Sequence, residues 1–304
     1  MLDGKKYHPG TLAFLAGENK DDFKNKMNQL AQKHQVELVV LPGGRIAKGS
    51  DLGSENWQEV STPKIALLAG KDLKATSVGE MWFYFEQTLQ YPVSLIGTDQ
   101  LEQIWLNKYD MVIVPDGDVD QYGKTLMEYV QEGGKVLALQ DAIKTFGDKD
   151  AETSLANGFI DAEARERARV AEQGKAETNI DRVVEKSRMA LSERVVGSIY
   201  KVQLDPSHVL GYGYNNELYL LKNNSDPIPL LPENDQTVNV GVFGDQDHVS
   251  GFVGKIAEER LANSLAIGVE HLGKGKLLYI SDSPIFRGFW RNGELFMANA
   301  VFFF

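Results

Sequence analysis

At 304 residues, 42% apolar and 25% charged, the chain has the make-up of a soluble globular protein, with room for one large or two ordinary domains. Its net charge of −11 argues against nucleic acid and anionic membranes as partners, because both need clustered Lys and Arg. The absence of Cys removes disulfides, thiolate catalysis and Cys-zinc sites together. No stretch approaches the roughly 20 apolar residues of a membrane span. Met1 to Lys6 is polar with no apolar run behind it, so the start reads as that of a cytosolic protein or an excised fragment, not a signal peptide.

In chain order, Thr11–Leu15 reads as a strand and Asp21–His34 as a helix with Phe23, Met27, Leu30 and Ala31 on one face. Val36–Leu41 reads as a second strand, ended by Pro42-Gly43-Gly44. Together they form a small βαβ-like unit, and Lys48–Pro63 reads as a linker. A stronger rhythm follows: strand Lys64–Ala69, helix Val78–Leu89 with Ser77 as N-cap and Glu80 at capping-box spacing, then strand Pro92–Ile96. Strand Tyr109–Val114 and helix Tyr122–Gln131 come next, with Gly133-Gly134 as the stop. The run Val136–Leu139 reads as a buried central strand that stops abruptly before a helix-like segment. Such alternation predicts a parallel sheet covered on both faces.

Residues 148–195 change character. The heavily charged run from Asp161 to Gly174 predicts an exposed helical insertion, its charges a solvated face. From Ile199 the chain is strand-rich: Ile199–Leu204, Glu217–Leu221, Val238–Phe243, Ser264–Glu270 and Lys276–Ser281, with Gly273-Lys274-Gly275 as a hairpin turn. Asn292–Phe304 reads as an apolar terminal helix. The expected organisation is a 1–60 segment and linker, then a 61–304 domain carrying the 148–195 insertion.

In an open α/β sheet, chemistry gathers at the carboxyl ends of the strands, and a nucleophile elbow places Ser or Cys at the strand–turn–helix corner. Here that corner offers Gln140, Asp141 and Ala142. The acidic cluster Asp116-Gly117-Asp118-Val119-Asp120 admits oxygen-ligated Ca²⁺ or Mg²⁺, but lacks an EF-hand's later Glu; capping of the next helix is the preferred reading. The five histidines, His8, His34, His208, His248 and His271, show no HxH or HxxxH spacing. His34 and Glu37 match HxxE, but straddle a helix end and a strand. No GxSxG, Walker or GxGxxG signature occurs. The segment Ser281–Trp290 either lines a pocket or pins the terminal helix, with Arg287 on a carboxylate and Phe286 and Trp290 in the core; pinning is preferred. The aromatic run Met81–Phe85 reads as core.

Several stretches together carry a family resemblance: Asp51-Leu52-Gly53-Ser54, Pro63–Leu68, Gly79-Glu80-Met81-Trp82 with Phe85-Glu86, Leu204–Gly213, Phe286–Trp290 and Asn299–Phe303. In order and spacing they resemble the region following the catalytic domain of large bacterial zinc carboxypeptidases of the carboxypeptidase A-like family. That region resembles a class I glutamine amidotransferase. The resemblance implies a flavodoxin-like α/β fold, an elbow Cys and a His-x-Glu pair after a late strand. This chain departs at each catalytic position: Gln140 or Asp141 stands near the Cys position, Asp282-Ser283-Pro284 lies where His-x-Glu is expected, and Pro115-Asp116-Gly117 approximates the oxyanion loop.

The expectation is therefore a non-catalytic accessory domain without cofactor or metal. Its partner would be a zinc-peptidase catalytic domain in cis, with homo-oligomer contacts among its roles. Its location would be periplasmic or extracellular if the parent is exported. Asp116, Gly117, Gln140, Asp141, Asp282 and Arg287 would line the old cleft. A hydrolase using Asp141 or a serine, and a small-ligand domain reusing that cleft, are the alternatives.

Overall fold

A computed structural model describes residues 6–19, 22–41, 43, 44, 48, 49, 51, 52, 54, 57, 59–173 and 188–304. Asp21, Pro42, Gly53 and the part of the charged insertion from Gly174 to 187 lie outside the described residues. The chain divides into two compact units, Met1–Ser61 and Thr62–Phe304.

In the first unit, helix α1 (Phe23–His34) forms as its periodicity predicts. The two expected strands do not: Thr11–Leu15 and Val36–Leu41 are unpaired, and no described residue of this unit is buried. A β-branched run becomes a strand only when a neighbour accepts its backbone hydrogen bonds, and nothing described within the unit does so. Among the described residues the predicted βαβ is thus corrected to one α-helix and a 3₁₀ turn (Ala16–Glu18) with irregular segments around them.

The second unit is α/β. Its parallel part contains β1 (Ile65–Ala69), α2 (Ala75–Phe83), β2 (Val93–Gly97), β3 (Met111–Val114), α3 (Gly123–Gln131) and β4 (Lys135–Leu139). After a 3₁₀ turn at Gln140–Phe146 comes α4 (Ser154–Gln173). Then follow β5 (Val195–Leu204), β6 (Glu217–Lys222), β7 (Thr237–Phe243), β8 (His248–Val253), α5 (Lys255–Leu261), β9 (Ser264–Leu272), β10 (Gly275–Ile280) and α6 (Glu294–Phe302). All ten strands join one sheet, ordered β2-β1-β3-β4-β10-β9-β7-β5-β6, with β8 on β5.

Strands β2, β1, β3, β4 and β10 are parallel, while pairings from β10 through β9, β7 and β5 to β6 and β8 are antiparallel. The sheet is mixed, so the parallel expectation holds only for the first half. The strand-rich region from Val195 supplies the antiparallel half of that sheet and, in β10, its last parallel strand, and is not an appendage. The switch occurs at the β9–β10 hairpin, where Gly273 takes a φ of 59°, a value hairpin turns demand and side chains resist.

Both faces of the parallel half are covered, which explains its continuous apolar strands. On one face Ile65 and Leu67 pack with Met81 and Phe85 and with Phe296 and Met297 of α6. On the other, Ala66 and Leu68 pack with Leu126 and Val130 of α3, and with Ala142, Ile143 and Phe146 of the 3₁₀ turn. Leu155, at the start of α4, is fully buried in this second core, so the insertion is anchored by its first turn. Thr153 accepts the Ala156 N–H at 3.0 Å, and buried Glu270 accepts the Ser154 N–H at 2.5 Å. Negative charge at that end suits the helix dipole.

The helix predicted from Val78 begins earlier, at Ala75, and continues as a π-helical turn over Tyr84–Leu89. Of its aromatic run, Tyr84 and Phe85 are buried, but Trp82 and Phe83 are about half exposed, so the all-core reading is corrected. The apolar terminus is docked: Phe304 is buried and its carbonyl accepts from Lys135 Nζ at 2.7 Å.

Candidate functional site

The carboxyl ends of β1, β3 and β4 open into a cleft of about 230 Å³. Its walls come from Lys74–Glu80 on the first turns of α2, Asp116 after β3, Gln140 and Asp141 after β4, Asn223 and Asn224 after β6, and Phe286 and Arg287 after β10. Four of the six sequence candidates therefore meet there: Asp116, Gln140, Asp141 and Arg287.

Gly117 and Asp282 do not line the cleft, which corrects both expectations. Gly117 packs tightly under it: a Cβ there would lie 2.4 Å from the Asp72 carbonyl oxygen and 2.7 Å from Leu73 Cα. Its role is close backbone approach. Asp282 is wholly buried, bonded by Lys222 Nζ at 2.9 Å and by Ser281 Oγ at 2.9 Å. Lys222, itself 1% exposed, also donates to Asn224 Oδ1 at 3.1 Å and lies 5.1 Å from the centre of the Phe243 ring. Burial pushes the Asp282 carboxyl above its ordinary value, and the lysine opposes this. Where a His-x-Glu pair would offer a base, this chain has an internal ion pair supporting the Asn223–Asn224 wall.

The elbow itself is Gln140, whose φ is +51°. A non-glycine side chain in the left-handed region marks a backbone held by its surroundings. Its carboxamide donates to Asn223 Oδ1 at 3.3 Å. Asp141 is one step beyond the corner and is held by two lysines, Lys74 at 2.9 Å and Lys144 at 3.0 Å. Burial alone would raise its pKa; the two ammonium groups outweigh that and hold it below the ordinary range.

Lys74 also reaches Asp116 Oδ2 at 2.9 Å, and Asp116 Oδ1 accepts the Asp141 N–H at 3.3 Å. The Asp116 N–H donates to Ser77 Oγ at 3.1 Å. Ser77 thus sits inside α2 tying it to the β3 loop, and does not cap the helix; the N-cap is Lys74, whose side chain makes no capping bond. Asp118 accepts the Asp120 N–H at 3.2 Å, and Asp120 accepts from Thr145 Oγ1 at 2.7 Å. Neither caps α3, whose N-cap Tyr122 makes no side-chain bond, so the helix-capping expectation is also corrected. Among the described residues no group of three or more His, Asp or Glu is arranged to hold a metal.

Glu80 faces the cleft from α2. Burial raises its pKa, with Ser283 and the Arg287 N–H opposing. It accepts that N–H at 2.7 Å, so the carboxylate expected for Arg287 meets its main chain. Arg287 itself has a φ of +49°, and its guanidinium sits 5.2 Å from the centre of the Phe286 ring. The pinning role falls to the following residues: Trp290 Nε1 donates to the Tyr219 carbonyl at 2.8 Å and Asn292 Oδ1 accepts the Tyr219 N–H at 2.7 Å. These two side chains satisfy the outer edge of β6.

Among the described residues no histidine lines the cleft. His208 Nδ1 accepts the Leu210 N–H at 3.3 Å in a turn, His248 lies against Tyr200, and His271 is exposed at the end of β9. Sequence reasoning missed Lys74, Glu80, Lys222, Asn223 and Asn224 as parts of this region. The signal available was position: Lys222-Asn223-Asn224 closes a strand with three polar residues, as loops at strand ends do.

No protein-family model matches the sequence, and no curated protein does. Solved structures similar in fold include a candidate GMP synthase component from Thermoplasma acidophilum, 10% identical over 79% of this chain and 92% of that chain, with a TM-score of 0.46. A candidate ThuA-like protein from Bacteroides uniformis is 10% identical over 81% of this chain and 93% of its own, at 0.44. The β-galactosidase from Rahnella sp. R3 is 13% identical over 78% of this chain but 30% of its own, at 0.38. At these identities and scores the likeness carries no functional reading.

Proposed function

We propose that the chain is a non-catalytic domain built on a flavodoxin-like, class I amidotransferase-like scaffold, acting as an accessory to a zinc carboxypeptidase catalytic domain in cis. One observation carries the non-catalytic reading: the strand–turn corner presents a carboxamide, Gln140, bonded to Asn223, and the next residue is a carboxylate held between Lys74 and Lys144. A carboxamide does not attack a carbonyl, and a carboxylate with both oxygens bonded to ammonium groups is a poor nucleophile or base. The hydrolase alternative requires an imidazole beside Asp141 or Ser283, and among the described residues no histidine lines the cleft that holds Asp141.

The accessory role rests on the order of the stretches from Asp51 to Phe303. In such a parent the domain would brace the catalytic domain or shape its substrate access, in the periplasm or outside the cell.

Two measurements test this. Glutaminase and ester-hydrolysis assays on the chain should show no turnover. Turnover abolished by Asp141→Ala and kept in the surface variant Lys124→Ala would overturn the non-catalytic reading. Reading the genomic frame upstream of Met1 tests the accessory role: a continuous frame encoding a zinc-peptidase domain supports it, and a stop codon refutes the cis arrangement.

A further inference from the structure

Hydrogen-bonding capacity in the cleft is unevenly used. Asp116 and Asp141 have both oxygens bonded from within, Asp116 by Lys74 and the Asp141 N–H and Asp141 by Lys74 and Lys144, and Glu80 Oε2 accepts the Arg287 N–H. The donors are less fully used. Arg287 is exposed, with its guanidinium over the Phe286 ring, a contact that holds the group while leaving N–H bonds outward. Lys74 spends two of its three N–H bonds on Asp116 and Asp141. The bond between the Gln140 and Asn223 side chains uses Gln140 Nε2 and Asn223 Oδ1, and among the described residues Asn223 Nδ2 and Gln140 Oε1 have no further side-chain bond.

Two features of a ligand follow. Surplus donors with an outward guanidinium select an acceptor-rich anion, and the planar fork of arginine matches a carboxylate. The Gln140–Asn223 pair leaves one acceptor and one donor on residues that line the cleft, the complement of a peptide N–H and C=O. An aromatic lip borders the same place: Phe286 packs edge-on to Phe289, which is 62% exposed, and half-exposed Phe83 lies against Gly288. At about 230 Å³ the cleft holds one residue and its amide, not a folded chain.

We propose that this cleft binds the carboxyl-terminal residue of a peptide. Arg287 takes the carboxylate, Gln140 and Asn223 read the last amide, and the aromatic lip receives the side chain. The proposal does not need the accessory role to be correct, and its test reads binding, not turnover.

The test is isothermal titration of the whole chain with N-acetyl-L-phenylalanine, its carboxamide and inorganic phosphate. The acid should bind and the carboxamide should bind roughly ten-fold or more weakly, since one charge-assisted contact is lost. Arg287→Gln should weaken the acid to the level of the carboxamide, while Arg287→Lys keeps part of the binding. Gln140→Leu should weaken N-acetyl-L-phenylalanine but leave 3-phenylpropionate, which lacks the amide, unchanged. Apo melting temperatures of each variant close to that of the parent chain establish that folding is intact. Equal affinity for acid and carboxamide overturns the proposal. So does phosphate binding as tightly as the acid, or no heat from any probe.

Discussion

Replacing Lys222 with Met tests how the floor of the cleft is held. The ammonium and the Asp282 carboxylate are 2.9 Å apart, with side-chain exposures of 1% and 0%. Removing one partner of such a pair strands a charge where water cannot reach it, a loss of about 3–5 kcal/mol. In a unit of this size each kcal/mol moves the melting temperature by about 2–4 °C, so a fall of roughly 6–20 °C is expected. Urea unfolding followed by far-UV circular dichroism gives the free energy directly. The stranded Asp282 relieves itself by taking up a proton in the folded state, so the loss should shrink as pH falls below neutral. Adding Asp282→Leu removes the stranded charge, and the double variant should recover most of the stability. A single-variant loss below about 1 kcal/mol, or a double variant as unstable as the single, would refute the assignment of a fully desolvated pair.

Three further outcomes follow from the same geometry. Gln140→Val places a β-branched residue at a φ of +51° and should cost about 1–3 kcal/mol, whereas Gln140→Gly should stay within about 1 kcal/mol of the parent in urea unfolding. Asp141 has a lowered pKa, so the stability it contributes is present above the ordinary carboxylate value of about 3.9 and is lost as pH falls through its lower folded value. Asp141→Asn should therefore be slightly less stable than the parent at neutral pH, by under about 1 kcal/mol given its exposure, and the gap should close in acid. Phe85→Ala should cost about 3–5 kcal/mol and Trp82→Ala about 1 kcal/mol or less, because Phe85 is fully buried and Trp82 is 48% exposed; equal losses would contradict the packing described.

The elements of the parallel half were legible because their signals are local. Ile65–Ala69, Met111–Val114 and Lys135–Leu139 are short apolar runs between turn residues, and each is a strand. The Gly273-Lys274-Gly275 turn is also local chemistry, and the hairpin forms there. Thr11–Leu15 and Val36–Leu41 carry the same local signal and are not strands, since pairing needs a second strand whose presence no single stretch reveals. The strand His248–Val253 had the opposite fate: Gly251 interrupts its pattern, yet β5 pairs with it.

The candidate site divides in the same way. The corner at Gln140, the Asp116 loop and Arg287 could be placed from chain order alone, because strand ends in an α/β sheet share one edge. That Asp282 would be buried, not presented, could not. It depends on Lys222, sixty positions away in sequence, arriving on the antiparallel side of the sheet. Glu80 and Ser77 read as a helix cap because their spacing fits one; tertiary contact with Arg287 and Asp116 uses them otherwise.

By itself, then, the sequence determined the chemistry that is missing: a chain without cysteine places no thiol at its elbow, whatever its fold. Residue identity is enough for that conclusion. Which charges face the cleft, which are paired beneath it and which donors remain free were decided by the tertiary structure alone. Those properties belong to distances between side chains far apart in the chain, and the sheet is what sets those distances.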